Sequence, residues 1–137
     1  YYQRTITKST NGDAFDEQSY GILLDEYRGT YIEEVIQTFQ SQATRVRLIV
    51  KKPGAYILPH IDYDTTYSMR YYIPLLTNPW AFTFVKPKNG EIEQHNLKAD
   101  GSAYFVNPGF EHAAINLGST DDIRLILSVN GQKDIMQ

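Results

Sequence analysis

The sequence predicts a mainly β domain: a double-stranded β-helix of the jelly-roll, cupin-like kind, with one or two N-terminal helices packed outside it. Three observations carry that expectation. From Thr44 onward apolar residues recur with a period of two, the spacing of a pleated strand with one buried face. The recurring segments are short, evenly spaced and rich in β-branched and aromatic residues, with eleven Tyr in 137 residues. Pro-Gly, Asn-Pro, Asn-Gly, Asp-Gly and Gly-Ser pairs punctuate them, and such pairs make turns.

In chain order, Tyr1 to Asp16 is polar and mixed in charge, with a turn signal at Asn11-Gly12-Asp13. It reads as neither a secretory signal nor a transit peptide. The sequence does not begin with Met, which leaves room for residues upstream. A short helix is expected around Phe15 to Leu24. A firmer one follows: Thr30 with Glu33 reads as a capping box, and Ile32, Val35, Ile36 and Phe39 fall on one helical face. Eight strands are expected next, over 44–51, 55–58, 67–76, 81–86, 92–97, 101–106, 112–116 and 123–130. A helical part over about 15–42 and a jelly-roll core over about 44–131 then form a single domain, 1–137.

Composition narrows the function. Hydrophobic residues are 42% and charged residues 21%, so the chain has enough apolar matter for a core. Thirteen Lys and Arg against sixteen Asp and Glu, a net charge of −3, argue against nucleic acid or an anionic membrane as partner. The aliphatic runs are far too short for a membrane helix, so a soluble, cytoplasmic protein is expected. There is no Cys, which excludes disulfides, thiolate zinc, iron–sulfur clusters and a cysteine nucleophile. With three His in the chain, any metal must sit on imidazole nitrogen and carboxylate oxygen.

Two clusters carry chemistry: Pro59-His60-Ile61-Asp62 and Glu111-His112. In an extended segment His60 and Asp62 share a face, and a rolled sheet lets the strand bearing His112 close over them. Two imidazoles and one carboxylate with the opposite face open make the facial triad of non-haem Fe(II) oxygenases. Spacing alone does not choose between that and hydrogen-bonded histidines beside a turn carboxylate. Arg124 adds weight. It shares a strand face with Ile126 and Ser128, opposite Ile123, Leu125, Leu127 and Val129, and an inward guanidinium needs an anion. The competing arrangement turns Arg124 outward to Asp121 or Asp122. His95, among Glu91, Glu93 and Gln94, reads as a surface residue, and Asp64 as a rim residue too far along the strand to be the first choice of ligand. Arg45 and Arg47 alternate with Val46 and Leu48. Trp80, Phe82 and Phe84 line a substrate pocket or join the core, and Asn116 either orients the site through His112 or ends its strand.

These pieces resemble the aspartyl/asparaginyl β-hydroxylase-like branch of the Fe(II)/2-oxoglutarate-dependent oxygenases, which includes free-proline hydroxylases. The resemblance runs from about Arg45 to Asn130. It rests on Arg47-Leu48, Pro53-Gly54, Pro59-His60-Ile61-Asp62, Arg70-Tyr71-Tyr72-Ile73-Pro74-Leu75, Thr77-Asn78-Pro79, Tyr104-Phe105-x-Asn107, His112-x-x-x-Asn116 and Arg124-Leu125, all in the family's order. It implies that His60, Asp62 and His112 bind Fe(II) and that Arg124 holds the distal carboxylate of 2-oxoglutarate. Tyr72 stands where the family often has a cosubstrate-binding His. Arg70 matches a position that contacts a substrate or cosubstrate carboxylate, with Arg47 beside it. The vertebrate aspartyl hydroxylase lacks the triad carboxylate, whereas this chain has Asp62.

The expected activity is therefore a dioxygenase that uses Fe(II), 2-oxoglutarate and O2 and hydroxylates a small-molecule or short-peptide substrate bearing a carboxylate. The expected substrate residues are Arg70, Arg47 and Trp80. A cupin-like barrel that binds a metal or ligand without oxygenase activity, and a structural jelly roll, remain as alternatives.

Overall fold

Alternation of side chains along a few long strands builds the larger wall of the molecule. The computed structural model describes residues 1–13 and 16–135. In chain order these form β1 (Tyr2–Thr5), β2 (Thr7–Lys8), a 3-10 turn (Glu17–Ser19), β3 (Ile22–Leu23), a second 3-10 turn (Asp25–Tyr27) and α1 (Tyr31–Gln37). Then come β4 (Gln42–Lys51), β5 (Tyr56–His60), β6 (Met69–Leu76) and β7 (Ala81–Lys86). The last four are β8 (Glu93–His95), β9 (Tyr104–Phe105), β10 (Glu111–Asn116) and β11 (Asp122–Asn130).

Two antiparallel sheets pack face to face. One runs β1-β4-β11-β6-β9 and the other β5-β10-β7-β8, while β2 and β3 form a small ribbon. From β4 to β11 the chain passes repeatedly from one sheet to the other, which is jelly-roll winding. The period-two pattern explains both layers. On β11, Leu125, Leu127 and Val129 face outward from the barrel and meet Val46, Met69, Tyr71 and Ile73. Helix α1 covers this layer with Ile32, Val35 and Ile36, and Phe39 just beyond it stacks at 5.0 Å from Tyr71. Full burial of each such side chain stabilises by roughly 1.5–3 kcal/mol. On the inner face Ile49, Tyr72 and Ile126 meet Leu97, Val106, Ile57 and Val85 between the sheets.

All eight expected strands are present as β4 to β11, several of them shorter at the ends. The short helix expected at 15–24 is instead the Glu17–Ser19 turn and β3, and Phe15 lies outside the described residues. The sequence reading also missed β1. It is an edge strand exposed along its length, so no buried face imposes a pattern on it. Thr30 does precede α1, but the capping box does not form. Its hydroxyl donates to the Tyr27 carbonyl, and Glu33 accepts from the Gly29 N–H at 3.0 Å. No helix among the described residues is long and apolar enough to cross a membrane.

Candidate functional site

The inner face of the larger sheet is a lattice set by strand register. Across β4, β11 and β6 it places Arg45, Ser128 and Arg70 in one row, and Arg47, Ile126 and Tyr72 in the next. Ile49, Arg124 and Pro74 form the third row, and Lys51 faces Asp122 in the last. Every row thus carries at least one charged side chain, with Ile126, Tyr72 and Ile49 set among them. A cavity of about 260 Å³ lies between this wall and the smaller sheet, which contributes Thr83, Ala114, His60 and His112.

His60 and His112 are directly paired across β5 and β10. Between the pairs Ala114–Ile57 and His112–His60, β5 advances three residues while β10 advances two. That bulge brings Ile57 and His60 to the same cavity despite their odd spacing. Asp62 lies beyond the strand, anchored by its N–H donating to the Pro108 carbonyl at 2.9 Å. Its Oδ2 sits 3.3 Å from the Nε2 of His60 and 3.3 Å from that of His112. Each Nδ1 is hydrogen-bonded to a backbone oxygen, that of Leu58 at 2.7 Å and that of Phe110 at 2.8 Å. A carbonyl only accepts, so Nδ1 carries a proton in both rings, and Nε2 is the nitrogen that each ring turns to Asp62.

This donor set fits a first-row divalent metal. The three ligand atoms lie within 4.8 Å of one another. Donors about 2.1 Å from a metal in adjacent positions stand about 3 Å apart, close to the spacing seen. Asp62 is also held from behind, because Arg70 Nη1 donates to the same Oδ2 at 2.7 Å. Burial works to raise the Asp62 carboxyl, but the His112 contact and the Arg70 charge prevail and hold it well below the usual carboxylate range. A carboxylate kept deprotonated is the form in which a metal takes it.

The far end holds two cations and one carboxylate. Lys51 Nζ lies 2.8 Å and Arg124 Nη2 3.2 Å from Asp122 Oδ2, while Thr77 donates to Oδ1 at 2.8 Å. Arg124 Nη1 also donates to the Thr83 hydroxyl at 2.9 Å, and its guanidinium lies 5.4 Å from the centre of the Tyr72 ring. Arg124 thus points inward, and Asp122 is its partner inside the barrel rather than at the surface. Burial and the Arg124 charge pull Lys51 down to about 8, with Asp122 opposing them. At the near end Glu17 Oε1 accepts from Ser128 at 2.9 Å and lies 3.6 to 3.9 Å from one nitrogen each of Arg70, Arg45 and Arg47.

A model of the aspartyl/asparaginyl β-hydroxylase family matches residues 29–133. The chain belongs to that family. No curated protein sequence matches it. Among solved structures it is similar to an oxidoreductase of the 2OG-Fe(II) oxygenase family from Burkholderia pseudomallei. That likeness has a TM-score of 0.71 at 12% identity and covers 96% of this chain and 67% of that one. An oxalate oxidase matches at a TM-score of 0.51 and 14% identity, over 62% of this chain and 41% of that one. The capsular polysaccharide assembling protein CapF from Staphylococcus aureus matches at 0.51 and 18%, over 72% of this chain and 26% of that one. The chain therefore spans less than half of these last two proteins, and at such identities the likeness is one of fold.

Within this family member the structure brings together His60, Asp62, His112, Arg124, Tyr72, Arg70 and Arg47, all lining one cavity. Two of the expected residues are not brought to this cavity. Trp80 is 62% exposed at the turn before β7, outside the cavity lining, because parity on β7 gives the interior to Thr83 and Val85. Asn116 shares a face with His112 but lies four residues further on, about 13 Å along the strand. It is fully buried, donates to the carbonyls of Lys51 and Thr120, and braces the end of β4. The sequence reading missed Lys51, Thr83, Asp122 and Glu17. Parity signals existed for the first and third: Lys51 continues the Arg45–Arg47 face, and Asp122 the Arg124 face. Glu17 lies 111 residues from Ser128 in sequence and carries no local signal.

Proposed function

We propose that the protein is a non-haem Fe(II)/2-oxoglutarate-dependent dioxygenase that hydroxylates an unactivated C–H of a carboxylate-bearing substrate, an amino acid or an Asp, Asn or Pro residue of a short peptide. His60, Asp62 and His112 hold the iron, Arg124 with Tyr72 binds the distal carboxylate of 2-oxoglutarate, and Arg70 and Arg47 face the substrate. Bound Fe(II) supplies activation of O2, coupled to conversion of 2-oxoglutarate to succinate and CO2 and to oxidation of the substrate C–H.

The observation that carries this reading is the convergence of two imidazole Nε2 atoms on Asp62 in the same cavity as a surplus buried cation. A bare metal-binding barrel needs the first feature but not the second. The chain's own residues prepare the chemistry in three ways. Leu58 and Phe110 carbonyls fix both imidazole tautomers. Arg70 fixes the Asp62 oxygen. Arg124, desolvated between Thr83 and Tyr72, offers a guanidinium fork to a carboxylate.

Anaerobic calorimetry tests the reading by titrating 2-oxoglutarate into the Mn(II)-loaded protein. Binding is expected in the wild type and at least tenfold weaker binding in Arg124→Met, the scale of a lost charged hydrogen bond. His60→Ala should abolish both metal uptake and succinate formation under air. Metal uptake without 2-oxoglutarate binding would favour a metal-binding barrel with no oxygenase activity.

A further inference from the structure

The two sheets differ in what lies behind them. Helix α1 and Phe39 cover the outer face of the larger sheet, whereas the outer face of the smaller one is bare. On β10, His112, Ala114 and Asn116 turn inward, so Glu111, Ala113 and Ile115 face out. Register extends these into rows. Tyr56, Ile115 and Phe82 lie side by side across β5, β10 and β7, and Leu58 follows Tyr56 on the same face. Ala113, Phe84 and Gln94 form the next row. Leu117 and Trp80 stand at one end, joined by a backbone hydrogen bond of 3.0 Å. At the other end Glu111 is paired with Lys86, so the charges there cancel.

Tyr56, Leu58, Trp80, Ile92 and Leu117 are 58%, 69%, 62%, 67% and 61% exposed. At roughly 150–250 Å² for a large side chain, they present on the order of 600 Å² of apolar surface. That is the upper end of what a typical monomer leaves in one patch, and most of the about 800 Å² that each partner gives to a standard interface.

The face is also complementary to itself. Opposite the Trp80 end, a hollow of about 280 Å³ opens among Pro59, Phe84, Lys86, Ile92, Glu111 and Ala113. A cavity of about 150 Å³ holds benzene, so this one has room for an indole. Trp80 and Phe84 are four residues apart on one strand line, about 13 Å. Consider a two-fold axis that lies in the plane of the face and crosses the strands between Phe82 and Phe84. It sets the Trp80 of each copy over the hollow of the other, Phe82 against Phe84 and Tyr56 against Leu58. Lys86 then meets the partner's indole, a favourable cation–π pairing, and no charge is opposed by its like.

We propose that the outer face of the β5-β10-β7-β8 sheet is a self-association surface. A second copy of this chain packs on it with two-fold symmetry, each Trp80 seated in the other's hollow. Two sheets stacked about 10 Å apart with reversed strands are the packing of a β-sandwich. The contact lies behind the sheet that carries His60 and His112 and does not depend on the chemistry in the cavity.

Trp80 is the single Trp of the chain, which makes the test direct. Sedimentation of the full chain between about 1 and 100 μM, the weak end for a standard interface, should show monomer passing to dimer. The emission of Trp80 should move to the blue in step, as its ring leaves water. Leu58→Lys and Tyr56→Glu, both at exposed positions, should each weaken the dimer at least tenfold. An equimolar mixture of these two proteins should dimerise more tightly than either alone. In the mixed dimer the new ammonium meets the new carboxylate while the other Tyr56–Leu58 contact stays native, a gain that misfolding cannot produce. A wild type that stays monomeric with unchanged emission to about 100 μM would overturn the proposal and leave the face to a different partner. Assembly that continues beyond the dimer, variants that dimerise as the wild type does, or a mixture no tighter than its components would overturn it as well.

Discussion

Replacing Asp122 with Asn should destabilise the protein far more than replacing its partner Lys51 with Met. The Asp122 carboxylate is wholly buried and faces both Lys51 Nζ, at 2.8 Å, and Arg124 Nη2, at 3.2 Å. Asn preserves the shape and can still accept from Thr77, but it leaves two buried cations with no counter-ion. Removing one partner of a buried ion pair costs about 3–5 kcal/mol. For 137 residues the unfolding entropy is about 0.3 kcal/mol/K, so Tm should fall by roughly 10–17 °C. Lys51→Met instead leaves Arg124 and Asp122 as a matched pair and replaces an ammonium by an apolar chain of similar length. Its effect should stay within about 1.5 kcal/mol of zero, or about 5 °C in Tm. Scanning calorimetry of the three proteins at pH 7 decides the matter. A Lys51→Met protein that melts as early as Asp122→Asn, or an Asp122→Asn protein within about 3 °C of wild type, would refute the idea of two cations sharing one carboxylate.

Lys51 sits near 8 in the folded protein against an ordinary 10.5, so between those values the unfolded chain binds the extra proton and stability rises with pH. Urea midpoints at pH 7.5 and 9.5 should show that rise, below the range where the raised Tyr67 and Tyr71 hydroxyls pull the other way, and Lys51→Met should flatten it. A Cβ at Gly118 would collide with the Asn78 side chain, which is held by Asn116, Thr120 and Trp80. Gly118→Ala should therefore cost about 1–3 kcal/mol in urea unfolding, and an unchanged midpoint would mean that Asn78 yields freely. Trp80→Ala should leave 2-oxoglutarate binding to the Mn(II)-loaded protein unchanged in calorimetry, as expected of a side chain outside the cavity; a tenfold loss would put Trp80 back in the site.

What was legible in the sequence follows from how local each signal is. Strands such as β7 and β10 were visible because one buried face enforces alternation, β8, exposed along its length, because turn residues bracket it, and α1 because Ile32, Val35 and Ile36 fall on its packed side. His60 and Asp62 were visible as a pair, but not the way they converge. The β5 bulge and the Asp62 tether to Pro108 turn them inward, and neither leaves a periodic trace. Strand parity puts Arg124 on one face with Ile126 and Ser128 but leaves its direction open, and Asp122, its surface partner in the competing arrangement, is buried beside it. Glu17 was illegible for a different reason. Its role comes from a 3-10 turn docking on Ser128 across the whole length of the domain.

The order of residues along the wall explains why two charge deficits persist in so small a space. Left to themselves, buried cations would draw in the nearest carboxylate and close the account. Here Glu17 lies beside Arg45, Arg47 and Arg70, and Asp122 beside Lys51 and Arg124. Each end keeps its own internal carboxylate, and neither carboxylate suffices for the cations beside it. The strands can hold this unfavourable arrangement because their opposite faces bury Val46, Leu125, Leu127 and Val129 almost completely. Those side chains contribute roughly 1.5–3 kcal/mol each, on the scale of the cost of desolvating a charge. The best-supported part of the fold thus carries its buried charges.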